Sequence, residues 1–450
     1  MQVSSFISSF KKITKKIAFP VAVILFVVVL WLTNQFFTWL LLDDVSRYTR
    51  VTLHEMYTQE NIDVLFIGSS HCYRSLDTEI TDEIFGKNTF NAGTSSQQLD
   101  GSYALLVEAG KSNDIEQVYL ELYYNVVGNV YENRTDLTST YIISDYMKPS
   151  LNKISYLINA STSEYWANSF FPARRNWSKL FESMYVSKNV TKKLQDSYQN
   201  YEYPSSSNEY YAGKGYVANT TEIVNNNFSN EGHFASISEN AFSEDSLNSL
   251  LQIITYCGKN DIELVIYSAP MPEFRLVDVG NYDDYIEQVS ALCATYGILY
   301  YDFNLCREEY FSFDCSYFKD SDHLNKNGAE VFSELFATFF TGGVNESDLF
   351  YESYEEKINT KEPQTYGIIY TIDTTESVKT ITLNPVQSGD VTAYYTVLKQ
   401  AGTEGEYVEI LSGTELSDIE VPGDETGQLL IRVYSDAEGA CMTNEISFSY

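Results

Sequence analysis

Four consecutive apolar residues, Val64 to Ile67, stand between Asp63 and the small-residue turn Gly68-Ser69-Ser70. A short apolar run bounded in this way is typical of a strand that is buried on both faces, as in the middle of a parallel sheet. At the carboxyl end of such a strand, a turn of small residues can expose a side chain and direct backbone N–H groups towards one point. The pattern therefore predicts an open α/β sheet with a candidate reactive group in this turn.

Similar strand patterns recur along the chain and alternate with segments of helical periodicity. Further strands are predicted at 89–93, 118–122, 262–267 and 298–302, and the helices include 98–111, 246–257 and 282–296. Helices between consecutive strands require a parallel sheet that is covered on both faces. We therefore expect a three-layer α/β domain over residues 61–341.

Two regions depart from this alternation. Residues from about 133 to 244 are polar and rich in Tyr and Asn, with helical pieces and no strong strand, which is typical of an inserted cap. Residues 342–364 form a predicted acidic linker, and 365–450 contain short β-like runs separated by Gly, Asp, Ser and Glu turns. This last pattern predicts a small all-β sandwich. Its expected roles are glycan binding, partner docking or spacing.

The N-terminal region predicts a membrane anchor. A basic segment, 1–16, contains four lysines and precedes an apolar run at 17–42, and Asp43-Asp44 follow it. A helix of about 20 apolar residues crosses a bilayer core, and lysines on one side favour a cytoplasmic N-terminus. A cleaved signal peptide is the alternative, but the run is long for one and no Ala-x-Ala-like site follows. We therefore expect one transmembrane helix in the cell membrane, a juxtamembrane helix and linker at 43–60, and the main domains outside the cell.

The charge and the cysteines limit other functions. Lys and Arg number 29 against 62 Asp and Glu, a formal charge of −33, which argues against a nucleic-acid partner. The cysteines form no cluster with metal-ligand spacing, so we predict neither a metal site nor a cofactor. Cys72, Cys257 and Cys293 are interpreted as packing residues, whereas Cys306 and Cys315 are close enough in sequence to close a loop.

Candidate catalytic residues follow from the scarcity of histidine, of which there are only four. A serine nucleophile needs a base within hydrogen-bond reach and a carboxylate that orients this base. His323 has Asp320 three residues before it, a spacing at which a local turn lets the carboxylate hold Nδ1 while Nε2 points outward. Asp322 is closer in sequence but is expected to project the other way. Ser70 is the predicted nucleophile, and the alternative is that it merely caps the following helix.

In this order along the chain, four blocks resemble those of the SGNH/GDSL hydrolase family: Gly68-Ser69-Ser70, Asn91-Ala92-Gly93, Tyr123-Tyr124-Asn125 and Asp320-Ser321-Asp322-His323. Ser69 stands where the family usually has Asp, and Tyr123 stands where it has Gly. The resemblance covers residues 60–340 and implies a flavodoxin-like fold with Ser70 as nucleophile. It also implies an oxyanion hole built from the N–H groups of Ser70 and Gly93 and the side chain of Asn125.

The layout is similar to that of membrane-anchored, DltD-like members of the family, which act on surface polymers. This similarity implies an acyl-serine mechanism for an O-acyltransferase or esterase acting on a cell-surface glycan, with a multispanning membrane acyltransferase as possible partner. Possible substrate contacts are His71, Arg174, Arg175, Trp177, Lys214 and Tyr216. The alternative is an inactive SGNH-like protein that binds glycan or assists assembly of the envelope. A long distance between Ser70 Oγ and His323 Nε2 would exclude the enzyme.

Overall fold

The computed structural model describes residues 2–128, 134, 136–223, 237–401, 405–416, 418–436, 438–439 and 442–450. Part of the predicted cap at 133–244 therefore lies outside the described residues. The strands are β1 Val64–Ile67, β2 Thr89–Asn91, β3 Gln117–Glu121, β4 Glu209–Gly213, β5 Tyr216–Asn219, β6 Glu263–Ser268, β7 Leu299–Asp302, β8 Gln364–Thr374, β9 Val378–Ser388, β10 Tyr394–Ala401, β11 Val408–Thr414, β12 Asp418–Pro422, β13 Gly427–Tyr434 and β14 Met442–Ser449.

The helices connect and cover these strands. They are α1 Gln2–Leu41, α2 Tyr48–Met56, α3 Ser70–Ser75, α4 Thr78–Phe85, α5 Leu99–Ala109, α6 Tyr124–Val127, α7 Thr138–Ser144, α8 Leu151–Asn159, α9 Trp166–Phe170, α10 Ser183–Lys193, α11 Asp196–Gln199, α12 Glu244–Lys259, α13 Glu273–Val279, α14 Tyr282–Tyr296, α15 Lys326–Phe340, α16 Glu346–Leu349 and α17 Tyr354–Asn359. Short 3₁₀ helices occupy Pro172–Phe181, Phe303–Leu305 and Cys315–Tyr317.

Five parallel strands form the central sheet in the order β2-β1-β3-β6-β7. Counted by these strands alone, the order is 2-1-3-4-5, the flavodoxin-like arrangement. Strand β1 lies between β2 and β3 and is buried throughout, because Leu65 and Ile67 pack on one layer of helices while Val64 and Phe66 pack on the other. The predicted α/β fold class is confirmed.

The two layers contain different helices. One layer includes α5, α12 and α14, whose apolar residues share a core with Leu65 and Ile67. The other is built largely by α15, whose phenylalanines at 332, 336 and 339 are at most 9% exposed and pack beneath Phe66. Because β1, β2 and β3 are parallel, the loops that follow them emerge at one edge of the sheet, where polar side chains can meet.

The N-terminal helix α1 contains a segment, Phe19–Leu41, that is long and apolar enough to be a single membrane span. Residues 19–33 of this helix are exposed, whereas its last turns pack on the helical insertion. Asn189 Nδ2 donates to the carbonyl of Leu40 at 2.8 Å, and the Tyr185 hydroxyl donates to that of Leu41 at 2.7 Å. These side chains satisfy carbonyls that the end of a helix leaves without intrahelical partners.

The insertion also contains structure that its sequence does not reveal. No strong strand was expected there, yet β4 and β5 form an antiparallel hairpin. The carbonyl of Lys214, in the hairpin turn, accepts a hydrogen bond from Asn91 N at 2.8 Å. The hairpin therefore covers the outer edge of β2, which would otherwise present an unpaired backbone donor.

The C-terminal strands form a four-stranded sheet, β11-β10-β13-β14, and a three-stranded sheet, β12-β9-β8, around a shared core. The antiparallel sandwich was expected from the short β-like runs of this region. Tyr366 on β8 packs against Phe274 on α13, and its hydroxyl donates to Glu273 at 2.9 Å. These contacts attach the sandwich to the α/β domain.

The segments predicted as linkers are packed against the α/β domain. At 43–60, helix α2 buries Leu53 and Met56 in the core. At 342–364, Leu349 and Lys357 are fully buried. Cys306 and Cys315, which are close enough in sequence to close a loop, form no disulfide: both thiols are free, and Cys306 is buried beside Phe350.

Candidate active site

Ser70 lies at the carboxyl end of β1, as the first residue of α3. Ser69 caps this helix, since its hydroxyl accepts a hydrogen bond from His71 N at 3.2 Å. Gly68 is required at this turn: it has φ +155°, and a Cβ at this position would lie 2.6 Å from the Cβ of Glu121. The turn holds Ser70 in a half-buried position that a substrate can reach.

Glu121, the last residue of β3, fixes the turn from below. Its Oε2 accepts hydrogen bonds from both the backbone N–H and the hydroxyl of Ser69, each at 2.8 Å. Burial raises the pKa of this carboxyl to about 7, although both hydrogen bonds oppose the shift. Glu121 was not predicted as a site residue, because in the sequence it is only a single acid near the end of an apolar strand.

His323 approaches Ser70 from the loop before α15. Its Nε2 lies 2.7 Å from Ser70 Oγ, and its Nδ1 lies 2.9 Å from Asp320 Oδ1. The same carboxylate oxygen accepts the backbone N–H groups of Asp322 and His323, at 3.0 and 2.9 Å. The structure thus brings Ser70, His323 and Asp320 together in the order that a nucleophile, a base and an orienting acid require.

The acid is held in its charged form. Burial opposes ionisation of Asp320, but hydrogen bonds from His323 and Lys319, together with their charges, outweigh it and keep the pKa of the carboxyl well below its ordinary value. Lys319 Nζ contacts the oxygen that does not face His323. Asp320 is therefore an anion wherever His323 works as a base.

Asp322 points away from the imidazole, as expected. Its Oδ1 lies 2.9 Å from Arg275 Nε and accepts a hydrogen bond from the Tyr123 hydroxyl at 3.3 Å. Arg275 Nη2 also donates to that hydroxyl at 3.3 Å. This network of Asp322, Arg275 and Tyr123 ties the loop of His323 to the loop after β3.

His71 packs on the candidate base. Its ring lies between those of Tyr123 and His323, with centroid distances of 4.1 and 4.8 Å. Its side chain is buried, and burial together with the neighbouring His323 lowers the pKa of His71 well below its ordinary value. The predicted substrate contact is therefore better described as a neutral support for the imidazole of His323.

The three predicted oxyanion donors differ in their surroundings. The N–H of Ser70 makes no hydrogen bond to any residue that the structure describes. In contrast, the N–H of Gly93 donates to Asn91 Oδ1 at 3.0 Å, and Asn125 Nδ2 donates to the Tyr123 hydroxyl at 3.2 Å. The structure therefore offers Ser70 N–H directly, whereas Gly93 and Asn125 are engaged by neighbouring side chains.

Three predicted substrate contacts lie where the insertion packs on itself and on α1. Trp177 packs on Phe37 of α1, with ring centroids 5.4 Å apart. Arg175 pairs with Asp145 at 2.6 Å, and Arg174 donates to Asn168 at 3.1 Å. Their interpretation as substrate contacts overlooked Phe37 and Asp145, which lie far from Trp177 and Arg175 in sequence.

The remaining two predicted contacts have structural roles. Tyr216 is 1% exposed and lies in the core beneath β1, so the prediction that it touches substrate is wrong. Lys214 binds Asp82 and Asn88 through its amine, and its N–H donates to Glu55 at 2.9 Å. Both residues hold the β4–β5 hairpin in place.

Ligand atoms of Asp320, Asp322 and His323 lie within 4.8 Å of one another, close enough to suggest a metal site. Each is already engaged: Asp320 with His323 and Lys319, Asp322 with Arg275, and His323 with Ser70. These contacts favour proton transfer over metal binding, because a metal would have to displace Arg275 and Lys319 from the two carboxylates.

Comparison with known proteins gives distant likenesses in structure only. No protein-family model matches the chain, and no curated protein matches it in sequence. Similar solved structures include a candidate acylhydrolase from Bacteroides fragilis (10% identity, 65% of this chain and 95% of the other, TM-score 0.31), a GDSL-like lipase from Bacteroides thetaiotaomicron (11%, 67% and 100%, 0.31) and a candidate platelet activating factor from Streptococcus pneumonia (13%, 70% and 98%, 0.30). At these values the chemistry of this chain has to be inferred from its own atoms around Ser70.

Proposed function

We propose that this protein is a membrane-anchored serine esterase or O-acyltransferase that works through an acyl-serine intermediate. The observation that supports the proposal is the contact of 2.7 Å between Ser70 Oγ and His323 Nε2, with Asp320 at 2.9 Å on the other side of the imidazole. This geometry meets the requirement set from the sequence, because the two reacting atoms are within hydrogen-bond distance.

The proposed reaction begins when His323 Nε2 takes the proton of Ser70 and Oγ attacks the carbonyl carbon of an ester. Collapse of the tetrahedral intermediate breaks the ester bond, and His323 returns the proton to the departing alcohol. Water or a sugar hydroxyl then loses its proton to His323 and attacks the acyl-serine. The bond between the acyl carbon and Ser70 Oγ breaks, and His323 returns the proton to Oγ. Water gives hydrolysis, and a sugar hydroxyl gives transfer.

Ser70 N–H is the donor that we assign to the oxyanion, since it is unpartnered in the described part of the chain. One well-placed donor of this kind contributes about 3 kcal/mol to transition-state stabilisation. Gly93 N–H joins it by exchanging Asn91 Oδ1 for the substrate oxygen, whereas Asn125 Nδ2 donates one of its two N–H groups to the Tyr123 hydroxyl. The alternative function is that of a catalytically inactive SGNH-like protein that binds glycan or assists assembly of the cell envelope.

The proposed location is the outer face of the cell membrane. The lysines at 11–16, ahead of the apolar segment of α1, and the acids after the helix favour a cytoplasmic N-terminus. In that orientation the candidate active site faces the other side of the membrane. The acceptor that we propose is therefore a cell-surface glycan or polymer. A multispanning membrane acyltransferase is the proposed partner that supplies the acyl group.

A fluorophosphonate probe tests the reactive serine. We expect it to label the full-length protein, and we expect Ser70→Ala to abolish labelling. Ser321→Ala is the matched control, because Ser321 lies in the same loop as His323 yet is absent from the hydrogen bonds of the triad. Equal labelling of wild type and Ser70→Ala would overturn the proposal.

A second measurement separates esterase from transferase. Purified protein is incubated with an activated acetyl ester and a glycan acceptor, and the acylated glycan and free acetate are quantified by mass spectrometry. Acylated glycan that depends on Ser70 supports transfer, whereas acetate alone supports hydrolysis. Neither product from a folded protein would favour the binding function.

A further inference from the structure

A cavity of about 650 Å³ lies between the end of α1, helix α2 and the insertion, and it shares no lining residue with the candidate active site. Helix α1 and the residue after it contribute Gln35, Thr38, Trp39 and Leu42, whose spacing places them on one stripe of the helix. The other walls include Arg50 of α2 and Lys148, Tyr198 and Tyr201 of the insertion.

Arg50 is the central feature of this cavity. It is 6% exposed, its Nη1 donates to the carbonyl of Tyr198 at 3.2 Å, and its guanidinium carbon lies 4.0 and 4.7 Å from the ring centroids of Tyr198 and Tyr201. Its Nε and Nη2 are buried and have no hydrogen-bond partner among the residues that the structure describes. A buried guanidinium with two unused donors is costly unless an acceptor, usually an anion, completes it.

The acids of the lining do not provide this acceptor. Asp44 pairs with Lys193 at 2.9 Å, and Asp145 pairs with Arg175 at 2.6 Å. Lys148 adds a second cation at the cavity, where its amine lies 4.0 Å from the centroid of the Tyr57 ring. In a chain with a formal charge of −33, a cavity that gathers cations beyond its own acids points to an anionic ligand.

The depth of the cavity relative to a bilayer suggests where that anion comes from. At 1.5 Å per residue, the exposed part of the apolar helix between residues 19 and 33 spans about 22 Å, which is about 8 Å less than a hydrocarbon core. The rest of the hydrocarbon core therefore extends along α1 as far as the stripe that begins at Gln35, which lines the cavity. Exposed apolar residues of the insertion, Phe171, Trp177, Phe181 and Met184, surround the same end of α1 and fit an interface.

We propose that this cavity binds a phosphate ester through Arg50 and Lys148, and that the ester is the headgroup of an anionic phospholipid. Its acyl chains lie along the exposed face of α1. Guanidinium groups suit this ligand because they donate two parallel hydrogen bonds to phosphate oxygens. The choice of a lipid rests on the proposed membrane location of α1, whereas the phosphate site rests only on the cavity and its cations.

The test uses the full-length protein in nanodiscs of phosphatidylcholine and phosphatidylglycerol, from which it is released and examined by native mass spectrometry. Wild type is expected to retain one phosphatidylglycerol in preference to phosphatidylcholine. Arg50→Gln and Lys148→Gln are each expected to lower the retained fraction about tenfold, the loss of one charge-assisted hydrogen bond. Lys188→Gln makes the same change of charge on an exposed lysine of α10 outside the cavity and is expected to match wild type.

The outcomes separate the possible sources of phosphate. If glycerol 3-phosphate stabilises the protein against heat in detergent but no phosphatidylglycerol is retained, the cavity binds phosphate esters and the proposal that the ligand is a lipid is overturned. Equal retention of both lipids by all variants, without such stabilisation, would overturn the site itself. If Arg50→Gln fails to fold, the exposed Lys148 variant decides.

The catalytic proposal can be tested independently in the same preparation. Ser70→Ala is expected to retain the lipid as wild type does, since Ser70 does not line the cavity. Loss of fluorophosphonate labelling with retained lipid would therefore separate the two sites. Failure of the chain to enter nanodiscs would overturn the membrane location on which the lipid depends.

Discussion

Nε2 of His323 lies 2.7 Å from Oγ of Ser70, although 253 positions of sequence separate the two residues. Packing between the elements that carry them closes this distance. Ser333 on α15 donates its hydroxyl proton to the carbonyl of Ala329 at 2.6 Å and accepts a hydrogen bond from Asp77 N, just beyond α3, at 2.7 Å. Because α15 follows the loop of His323 and α3 begins at Ser70, the hydrogen bond from Asp77 holds the two halves of the site against each other.

Asp320→Asn tests the orienting acid. An amide cannot stabilise the imidazolium that forms when His323 takes the serine proton, so we expect kcat for p-nitrophenyl acetate to fall by about 10³ to 10⁴. KM is expected to change little, because Asp320 faces His323 rather than the ester. Asp322→Asn is the matched control, since it removes an equal charge from the same loop but from the side of Arg275. Equal losses in both variants would contradict the assignment.

His71→Ala tests the support beneath the base. Removing a ring that lies 4.8 Å from the ring of His323 leaves space into which the imidazole can turn, so kcat is expected to fall about tenfold, with a smaller change in KM. His71→Phe restores a flat ring without a titratable group and is expected to recover most of the loss. Steady-state kinetics and melting temperatures of both variants check this. Failure of Phe to rescue kcat in a stable protein would point to a polar role for His71.

Much of the site could be predicted because its parts are local in sequence. A carboxylate three residues before a histidine, followed by a helix, specifies its own turn, and the observed hydrogen bonds from His323 N and Nδ1 to Asp320 Oδ1 are of this local kind. The strand before Ser70 was equally clear, since Val64–Ile67 is apolar throughout and buried throughout. Strand ends and turns therefore located three of the side chains that meet.

The rest depended on contacts between distant segments. Asn91 engages the N–H of Gly93, and Tyr123 engages the side chain of Asn125, so neither donor is arranged as a motif alone suggests. The aromatic and basic residues at 174–177 looked like a ligand surface, but Trp177 packs on Phe37 of the apolar helix. A single sequence contains no signal for pairs of this separation, because each partner is ordinary in its own neighbourhood.

Glu121→Gln tests the buried carboxyl beneath Ser69. Its pKa is raised from 4.5 to about 7, so the folded protein binds more protons than the unfolded chain between these pH values. Stability therefore falls as the pH rises through this window, by about 3 kcal/mol for this group. Glutamine does not ionise, so the melting temperature of the variant minus that of wild type is expected to increase between pH 5 and pH 8. Glu116→Gln makes the same change at an exposed carboxyl and is the matched control. Parallel curves for Glu121→Gln would contradict the raised pKa.

Gly215→Ala tests how the hairpin is seated on the sheet. Gly215 has φ +87°, and a Cβ at this position would lie 1.6 Å from the carbonyl oxygen of Asn91. The backbone of β2 or the hairpin would have to move, because neither atom belongs to a flexible side chain. We expect the free energy of unfolding to fall by several kcal/mol, the range of severe overpacking combined with a strained φ, and the melting temperature to fall clearly.

Gly258→Ala is the control, since its Cβ would meet no atom of the described residues within 4 Å and the residue lies within helix α12. It is expected to be neutral or slightly stabilising. Asn91 also accepts the N–H of Gly93, so a folded Gly215→Ala protein should show weaker fluorophosphonate labelling of Ser70. Unchanged stability and unchanged labelling would show that the hairpin does not position the loop after β2.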